Sequence, residues 1–238
     1  MQAFNRVKTL IGKDKLDILQ SSHVAVFGIG GVGGYTAEAL VRSGIGEITI
    51  IDNDTVELSN LNRQIIATVN SLGKDKVSVM KERLLSINPS LKIHAEKMFY
   101  LPENASQIDL KKFDYIVDAI DTVTAKLEVV LRAKSLNVPV ISCMGTGGKT
   151  DVTALKVSDI KNTKVCPLAR VVRRELNKRG VDSLKVVYSE EQTVISKDDL
   201  DGAEQKQSGR IAPPSMVFVP ATAGLMLARE VVFDLIKE

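Results

Sequence analysis

Short apolar runs alternate with longer mixed stretches along the first half of the chain. The runs at 24–27, 48–51 and 115–120 have the length expected of strands that are buried on both faces. The stretch after the first run carries apolar residues at helical spacing. This alternation predicts an α/β fold with a mainly parallel central sheet flanked by helices.

The remaining elements follow from the same patterns. We expect an N-terminal helical arm at about 1–20 and a mobile loop at about 190–215, where acids, glycines and prolines cluster. A helix at 123–136, strands at 138–142, 152–158 and 184–189, and a final helix complete the prediction. We treat 1–238 as a single domain, because 238 residues with 44% hydrophobic content can bury one full core.

Four glycines follow the first apolar run: Gly28, Gly30, Gly31 and Gly33. They permit a tight turn, and the helix after them presents free N–H groups to a phosphate. The second run ends at Asp52, 19 residues after Gly33, where a carboxylate reaches a ribose hydroxyl in βαβ nucleotide folds. The motif therefore predicts a Rossmann-like nucleotide-binding fold.

The polar segment 52–64 indicates which nucleotide chemistry this site serves. An NAD-binding module needs only Asp52 for the ribose and has no use for Arg63, whose guanidinium pairs with phosphoryl oxygens. Lys76 adds a second cation. Asp121 follows the third buried run on the ligand side of the sheet, where a carboxylate can hold Mg²⁺. Triphosphate binding is favoured over a non-catalytic or NAD-binding module.

Four pieces of sequence together carry a family resemblance. They are GIGGVG at 28–33, IDNDTVELSNLNRQ at 51–64, Lys76 and AIDT at 119–122. The set resembles the E1-like adenylyltransferases of the ThiF superfamily, which use ATP to activate carboxylates as acyl-adenylates. The resemblance implies an ATP-binding set of Gly28, Gly30, Gly31, Gly33, Asp52, Asp54, Ser59, Asn60, Arg63, Lys76, Asp121 and Thr122.

The same resemblance implies particular roles for four catalytic residues. Arg63 binds ATP, Lys76 contacts its phosphates and Asp121 carries magnesium. Arg6, in the N-terminal Phe-Asn-Arg motif, reaches the partner subunit's site as an arginine finger. The active site would then be complete only in a homodimer.

Within the superfamily, the chain is most similar to the tRNA threonylcarbamoyladenosine dehydratases. The matching segments include FNRVKTLIGKDKLDIL at the start, PLARVVRREL at 167–176 and APPSMVFVPATAGLMLA near the end. The resemblance implies ATP-dependent dehydration of N6-threonylcarbamoyladenosine beside the anticodon of tRNA, through adenylation of the threonyl carboxylate. It implies ATP and Mg²⁺, and leaves room for a monovalent cation and a sulfur-relay protein partner.

The main alternative is an adenylyltransferase that activates the C-terminus of a ubiquitin-like or sulfur-carrier protein. Sulfur-carrier enzymes typically hold zinc with two CxxC pairs, whereas this chain has two cysteines in total, Cys143 and Cys166. A four-thiolate zinc site is therefore impossible within one chain. We interpret both thiols as structural rather than nucleophilic. The absence of a disulfide framework from the sequence fits a cytoplasmic location.

Basic charge is concentrated in residues 161–185. This segment holds eight Lys or Arg against two acids, although the net charge of the chain is only +3. Its helical pattern leaves arginines on one face, which suits either a solvated surface or a patch for the tRNA backbone. The family resemblance favours the patch, formed by Arg170, Arg173, Arg174 and Lys178.

The sequence indicates neither a signal peptide nor a membrane span. Charged residues interrupt 216–236, the longest apolar stretch near the end, which favours a core helix. His23 and His94 lie far apart in sequence. We interpret them as surface or core residues without a catalytic role.

Overall fold

The structure, a computed structural model, describes residues 2–193 and 213–237. The strands are β1 (His23–Phe27), β2 (Glu47–Asp52), β3 (Lys92–Lys97), β4 (Tyr115–Asp118), β5 (Val140–Cys143), β6 (Leu155–Asp159) and β7 (Lys185–Ser189). The helices are α1 (Asn5–Ile11), α2 (Lys13–Ser21), α3 (Gly33–Arg42), α4 (Lys76–Ile87), α5 (Val123–Ser135), α6 (Pro167–Asn177) and α7 (Phe218–Leu235).

The strands form one sheet in the order β3-β2-β1-β4-β5-β7-β6. All neighbouring pairs are parallel except β6 with β7, which is antiparallel. The mainly parallel α/β architecture expected from the apolar runs is confirmed. The strand order reverses between β1 and β4: β2 and β3 lie on one side of this pair, and β5, β7 and β6 lie on the other.

Strand β1 shows how the sequence produces two cores. Val24 and Val26 face one side of the sheet and join α3, α4 and α7, whereas Ala25 and Phe27 face the other side and join α5 and α6. All four side chains are fully buried. Because both faces are covered, the strand reads as an uninterrupted apolar run.

One predicted strand needs adjustment, and one predicted loop falls mostly on residues that the structure does not describe. The strand expected at 152–158 begins at Leu155, because Asp151 accepts a hydrogen bond from the backbone N–H of Thr153 and closes a short 3₁₀ turn first. Most of the predicted mobile loop, 194–212, lies outside the described residues. In the part of the chain that the structure describes, no helix combines the length and apolar character needed to cross a bilayer.

Candidate ATP site at the carboxyl ends of the strands

The predicted nucleotide residues converge where the strand order reverses, between β1 and β4. In open α/β sheets, ligands bind at such switch points, beyond the carboxyl ends of the strands. Here β1 leads into the glycine turn, β2 ends at Asp52 and β4 leads to Asp121. The topology therefore brings together residues that are more than 90 positions apart in sequence.

Close packing requires glycine at two positions of the turn. Gly28 has φ +88°, and a Cβ there would lie 2.8 Å from the carbonyl oxygen of Ala119. A Cβ on Gly33 would lie 1.8 Å from the carbonyl oxygen of Gly28. A Cβ on Gly30 would meet no atom within 4 Å. The turn is thus packed against β4 on one side and leaves space beside Gly30 for a ligand.

Hydrogen bonds to Asp52 connect the glycine turn to the end of β2. Its Oδ2 accepts the backbone N–H of Ile29 at 2.6 Å, and its Oδ1 accepts that of Asp54 at 2.8 Å. Burial raises the pKa of Asp52, although the nearby Lys76 charge and these hydrogen bonds oppose the shift. The carboxylate therefore positions the glycine turn, and it lies at the strand end where βαβ nucleotide folds bind a ribose.

Lys76 is held beneath the loop that follows β2. Its side chain is only 6% exposed and its Nζ lies 2.8 Å from Oδ2 of Asp54, whose side chain is 56% exposed. The backbone N–H of Lys76 also donates to the Asp54 carbonyl at 3.0 Å. The ammonium is consequently fixed at the start of α4 by an acid that faces solvent.

Arg63 lies beside the glycine turn through a compact 3₁₀ segment. Asn60 accepts the backbone N–H of Glu57 at 3.2 Å and donates to the Ser59 hydroxyl at 3.3 Å. Arg63 Nη1 then donates to the Ser59 carbonyl at 2.7 Å. Its Cγ lies 3.5 Å from where a Cβ on Gly31 would be. The stem of the Arg63 side chain therefore lies beside the glycine turn, while its guanidinium bonds to the Ser59 carbonyl and to Asn62.

Asp121 and Thr122 lie between β4 and α5. Asp121 is exposed, and the Thr122 hydroxyl lies 3.5 Å from its Oδ1. Because Ala119 contacts Gly28, the Asp121 segment borders the glycine turn. Asp121 belongs to no described group of three or more metal-binding side chains, so a metal ion here would need oxygens from a bound ligand as well.

The sequence pattern missed a buried support below this segment. Lys126 Nζ donates to Asp118 Oδ2 at 2.6 Å, to Ser142 Oγ at 3.0 Å and to the Cys143 carbonyl at 2.9 Å. Asp118 Oδ1 in turn accepts the backbone N–H of Ile120 at 3.1 Å. A single lysine in a helical stretch gives no signal of burial, since most such lysines face solvent.

The start of α7 also joins the site, which the sequence did not indicate. Pro220 Cβ lies 3.5 Å from where a Cβ on Gly31 would be. Asn62 Nδ2 donates to the Ser215 carbonyl at 2.8 Å. The C-terminal segment therefore covers the glycine turn and the Arg63 segment together.

Comparison with known proteins agrees with this geometry. The sequence model of the ThiF family matches residues 4–236. The chain belongs to the ThiF family. It is 39% identical to tRNA threonylcarbamoyladenosine dehydratase of Bacillus subtilis, over 100% of this chain and 96% of the relative.

Two further proteins show how far the similarity extends. The crystal structure of Escherichia coli tRNA N6-threonylcarbamoyladenosine dehydratase in complex with ATP superposes with a TM-score of 0.88 at 32% identity, covering 98% of this chain and 93% of that one. A sulfur carrier protein adenylyltransferase of Thermus thermophilus is 33% identical, but over 55% of this chain and 48% of its own length.

Arg6 lies at the opposite end of this ThiF-family sheet from the glycine turn. It is exposed on α1, two residues after the buried Phe4. Phe4 shares a surface depression with Gly44, Gly46 and Lys92, at the amino ends of β2 and β3. The length of β2 separates that end from Asp52, about 20 Å at the usual rise per residue. The structure does not bring Arg6 to the site of its own chain.

Arg173 departs from the tRNA patch expected from sequence. Its Nη1 donates to the carbonyl and the hydroxyl of Thr163 at 2.9 and 2.7 Å, and to the Ile160 carbonyl at 3.2 Å. These bonds fix the turn before α6. The guanidinium is therefore committed to the fold, and we leave Arg173 out of the proposed tRNA surface.

The other cations on α6 and directly after it lie at the surface, and three of them surround one acid. Glu175 lies within 3.2 Å of Arg174, Lys178 and Arg179. Hydrogen bonds from these cations, with Arg179 contributing most, lower the pKa of Glu175 to about 2. Arg170 is exposed and lines a cavity of about 320 Å³. Three cations around one carboxylate leave this face of α6 positive.

Both cysteines of this ThiF-family chain are free and buried. Burial raises the pKa of the Cys143 thiol to about 12, so it stays protonated at neutral pH and is a poor nucleophile. This agrees with the structural interpretation made from sequence.

Proposed function

We propose that this protein is an ATP-dependent tRNA threonylcarbamoyladenosine dehydratase that adenylates the threonyl carboxylate of its substrate. The observation that carries the proposal is the convergence of the glycine turn, Asp52, Arg63 and Asp121 at one switch point, in a chain that matches a named dehydratase over its whole length. We take residues 1–238 to work as one adenylation domain.

In this proposal ATP lies across the carboxyl ends of β1, β2 and β4. The turn at 28–33 and the first N–H groups of α3 hold its phosphates, and Asp52 binds the ribose. Ser59, Asn60 and Arg63 border the phosphates from the next segment. The relative whose crystal structure is in complex with ATP supports ATP as the nucleotide.

Cations near the phosphates complete the proposed site. Asp121, with Thr122 beside it, would hold Mg²⁺ together with phosphate oxygens, and the ion would neutralise charge on the leaving pyrophosphate. Lys76 would exchange part of its contact with Asp54 for a phosphate. Both roles fit the side chains present. Asp121 lies two residues after Ala119, which packs against Gly28, and Lys76 contacts Asp54, two residues after Asp52.

The proposed chemistry has two steps. A carboxylate oxygen of the threonyl group attacks the α-phosphorus of ATP, and the bond to pyrophosphate breaks. The carbamoyl group then attacks the activated carbonyl carbon and releases its N–H proton, the ring closes, and AMP departs with the carboxylate oxygen. Arg63 stabilises charge that develops in the first step, a contact typically worth about 10²–10³ in rate. Neither step needs an enzyme thiol, in agreement with the buried cysteines.

The position of Arg6 supports a shared site in a homodimer. Arg6 lies about the length of a strand away from its own glycine turn, so we propose that it serves the site of a second copy. Arg6→Ala and Arg63→Ala should each be inactive, and mixing them should restore activity in dimers that hold one intact site. No recovery after verified subunit exchange would contradict the shared site.

The exposed face of α6 is the proposed tRNA surface. Arg170, Arg174 and Lys178 would contact the phosphate backbone and make affinity fall with salt. Replacing all three with glutamine should weaken tRNA binding and flatten the salt dependence. Binding of ATP should be unchanged. A cytoplasmic location, a monovalent cation and a sulfur-relay partner stay predictions from the sequence.

The main alternative activates a ubiquitin-like or sulfur-carrier protein instead of tRNA. The experiment that separates the two is nucleoside analysis by mass spectrometry of tRNA carrying threonylcarbamoyladenosine, incubated with the protein and ATP. The proposal expects a product lighter by one water, formed only with ATP. Absence of that product, together with an acyl-adenylate formed at the C-terminus of a carrier protein, would contradict the proposal.

A further inference from the structure

The two histidines of the chain meet at the end of the sheet opposite the proposed ATP site. His23 begins β1 and His94 lies in β3, with β2 between them. The parallel register pairs His23 with Glu47 and His94 with Thr49. The two imidazole centroids are 5.6 Å apart, although 70 residues separate the two histidines.

Glu47 bridges the two rings. Its Oε1 lies 3.0 Å from His94 Nε2 and 3.5 Å from His23 Nδ1. One ligand atom from each of the three side chains falls within 4.8 Å of the others. In tetrahedral zinc sites, ligand atoms about 2.0–2.2 Å from the ion are about 3.3 Å from one another, so the observed separations need only small side-chain rotations.

We propose that His23, Glu47 and His94 form a binding site for Zn²⁺ or a similar divalent transition-metal cation. Two imidazoles and one carboxylate are a ligand set that zinc takes in proteins, with water at the fourth position. The site joins three adjacent strands, and the length of β1 separates it from the glycine turn by about 16 Å. It is therefore distinct from the proposed ATP site.

Neighbouring side chains orient the His23 ring for metal binding. Its Nε2 lies 2.8 Å from the Thr49 hydroxyl, a partner that orients the ring with Nδ1 towards Glu47, as outer partners do around metal-bound histidines. Phe113 packs edge-on against the same ring at 4.9 Å.

Access and charge also suit an ion. The side chains of His23, Glu47 and His94 are 15%, 27% and 51% exposed, so the cluster opens to solvent at His94. Lys92 is the cation that competes for Glu47, at 3.8 Å from Oε2, but its side chain is 76% exposed and can swing away. Asp114, which accepts the His23 backbone N–H at 2.7 Å, adds negative charge nearby.

The test is titration of the untagged, nucleotide-free protein with Zn²⁺ by calorimetry, and with Co²⁺ by visible absorption, which reports the coordination geometry. We expect one ion per chain and a rise in Tm with Zn²⁺. His94→Ala and Glu47→Gln should each lower affinity by on the order of 100-fold, and Thr49→Val by about 10-fold. The control Lys92→Ala should bind at least as well as the parent.

Two outcomes would overturn the proposal. One is no binding by the parent protein at micromolar zinc. The other is equal binding by the parent and by both ligand variants, which would place the ion elsewhere. Circular dichroism of each variant separates loss of the site from loss of the fold. His94→Gln offers a second exposed-position variant should His94→Ala unfold.

Discussion

Replacing Lys126 with methionine should destabilise the protein strongly, because it leaves a carboxylate buried without its cation. The side chains of Lys126 and Asp118 are both 0% exposed. The change removes three donated hydrogen bonds, to Asp118, Ser142 and the Cys143 carbonyl. Among the described residues, Asp118 keeps the Ser142 hydroxyl and the Ile120 N–H as donors.

The expected size follows from the burial of the pair. Removing one partner of a fully buried ion pair costs about 3–5 kcal/mol. For a chain of this size, each kcal/mol shifts Tm by about 2–4 °C, so Lys126→Met should lower Tm by about 6–20 °C. Adding Asp118→Asn removes the stranded charge and keeps an oxygen for the Ile120 N–H. We expect the double variant to recover more than half of the loss.

The assay is urea unfolding followed by circular dichroism, with Lys81→Met as the control because Lys81 is an exposed helical lysine. The control should stay within about 0.5 kcal/mol of the parent. A loss below about 1 kcal/mol in Lys126→Met, or a double variant no more stable than the single, would refute the reasoning.

Three further predictions test other parts of the account. Gly33→Ala should abolish ATP binding and destabilise the fold, because its Cβ would lie 1.8 Å from the Gly28 carbonyl oxygen, whereas Gly30→Ala should fold normally; calorimetry with ATP and a Tm measurement check both. Burial raises the pKa of Glu38, but the contacts with Arg83 and Arg42 outweigh burial and bring the pKa below its ordinary 4.5. The stability that Glu38 contributes is therefore present above pH 4.5 and is lost as the pH falls through the lowered pKa. Glu38→Gln should be less stable than the parent at pH 7, and acid unfolding curves should show the difference shrinking. Cys143→Ser should keep substantial dehydratase activity in the nucleoside assay, and complete loss with an intact fold would restore a thioester route.

Local patterns in the sequence predicted the parts of the site that are local in the chain. The apolar run, the glycine turn and Asp52 form one βαβ unit, and their order alone fixes which end of the sheet they occupy. The structure adds why Gly28 is needed, since Ala119, which crowds it, lies just after β4 and about 90 residues away in the chain.

Features that depend on tertiary contacts did not show in the sequence. Lys126 and Arg173 have the same side-chain types as surface residues, and only the packing of α5 and α6 turns them inward. His23 and His94 meet because β1 and β3 flank β2 in parallel register. Strand order sets that contact, and spacing along the chain does not reveal it.

The most direct test of the central claim follows the oxygens of the threonyl carboxylate. A tRNA substrate labelled with ¹⁸O at both carboxylate oxygens is converted with unlabelled ATP, and the nucleotide products are analysed by mass spectrometry. Adenylation predicts one ¹⁸O in AMP for each ring closed, with the other retained in the cyclic product. Label in inorganic phosphate alongside ADP, or AMP without label, would contradict activation of the carboxylate at the α-phosphate.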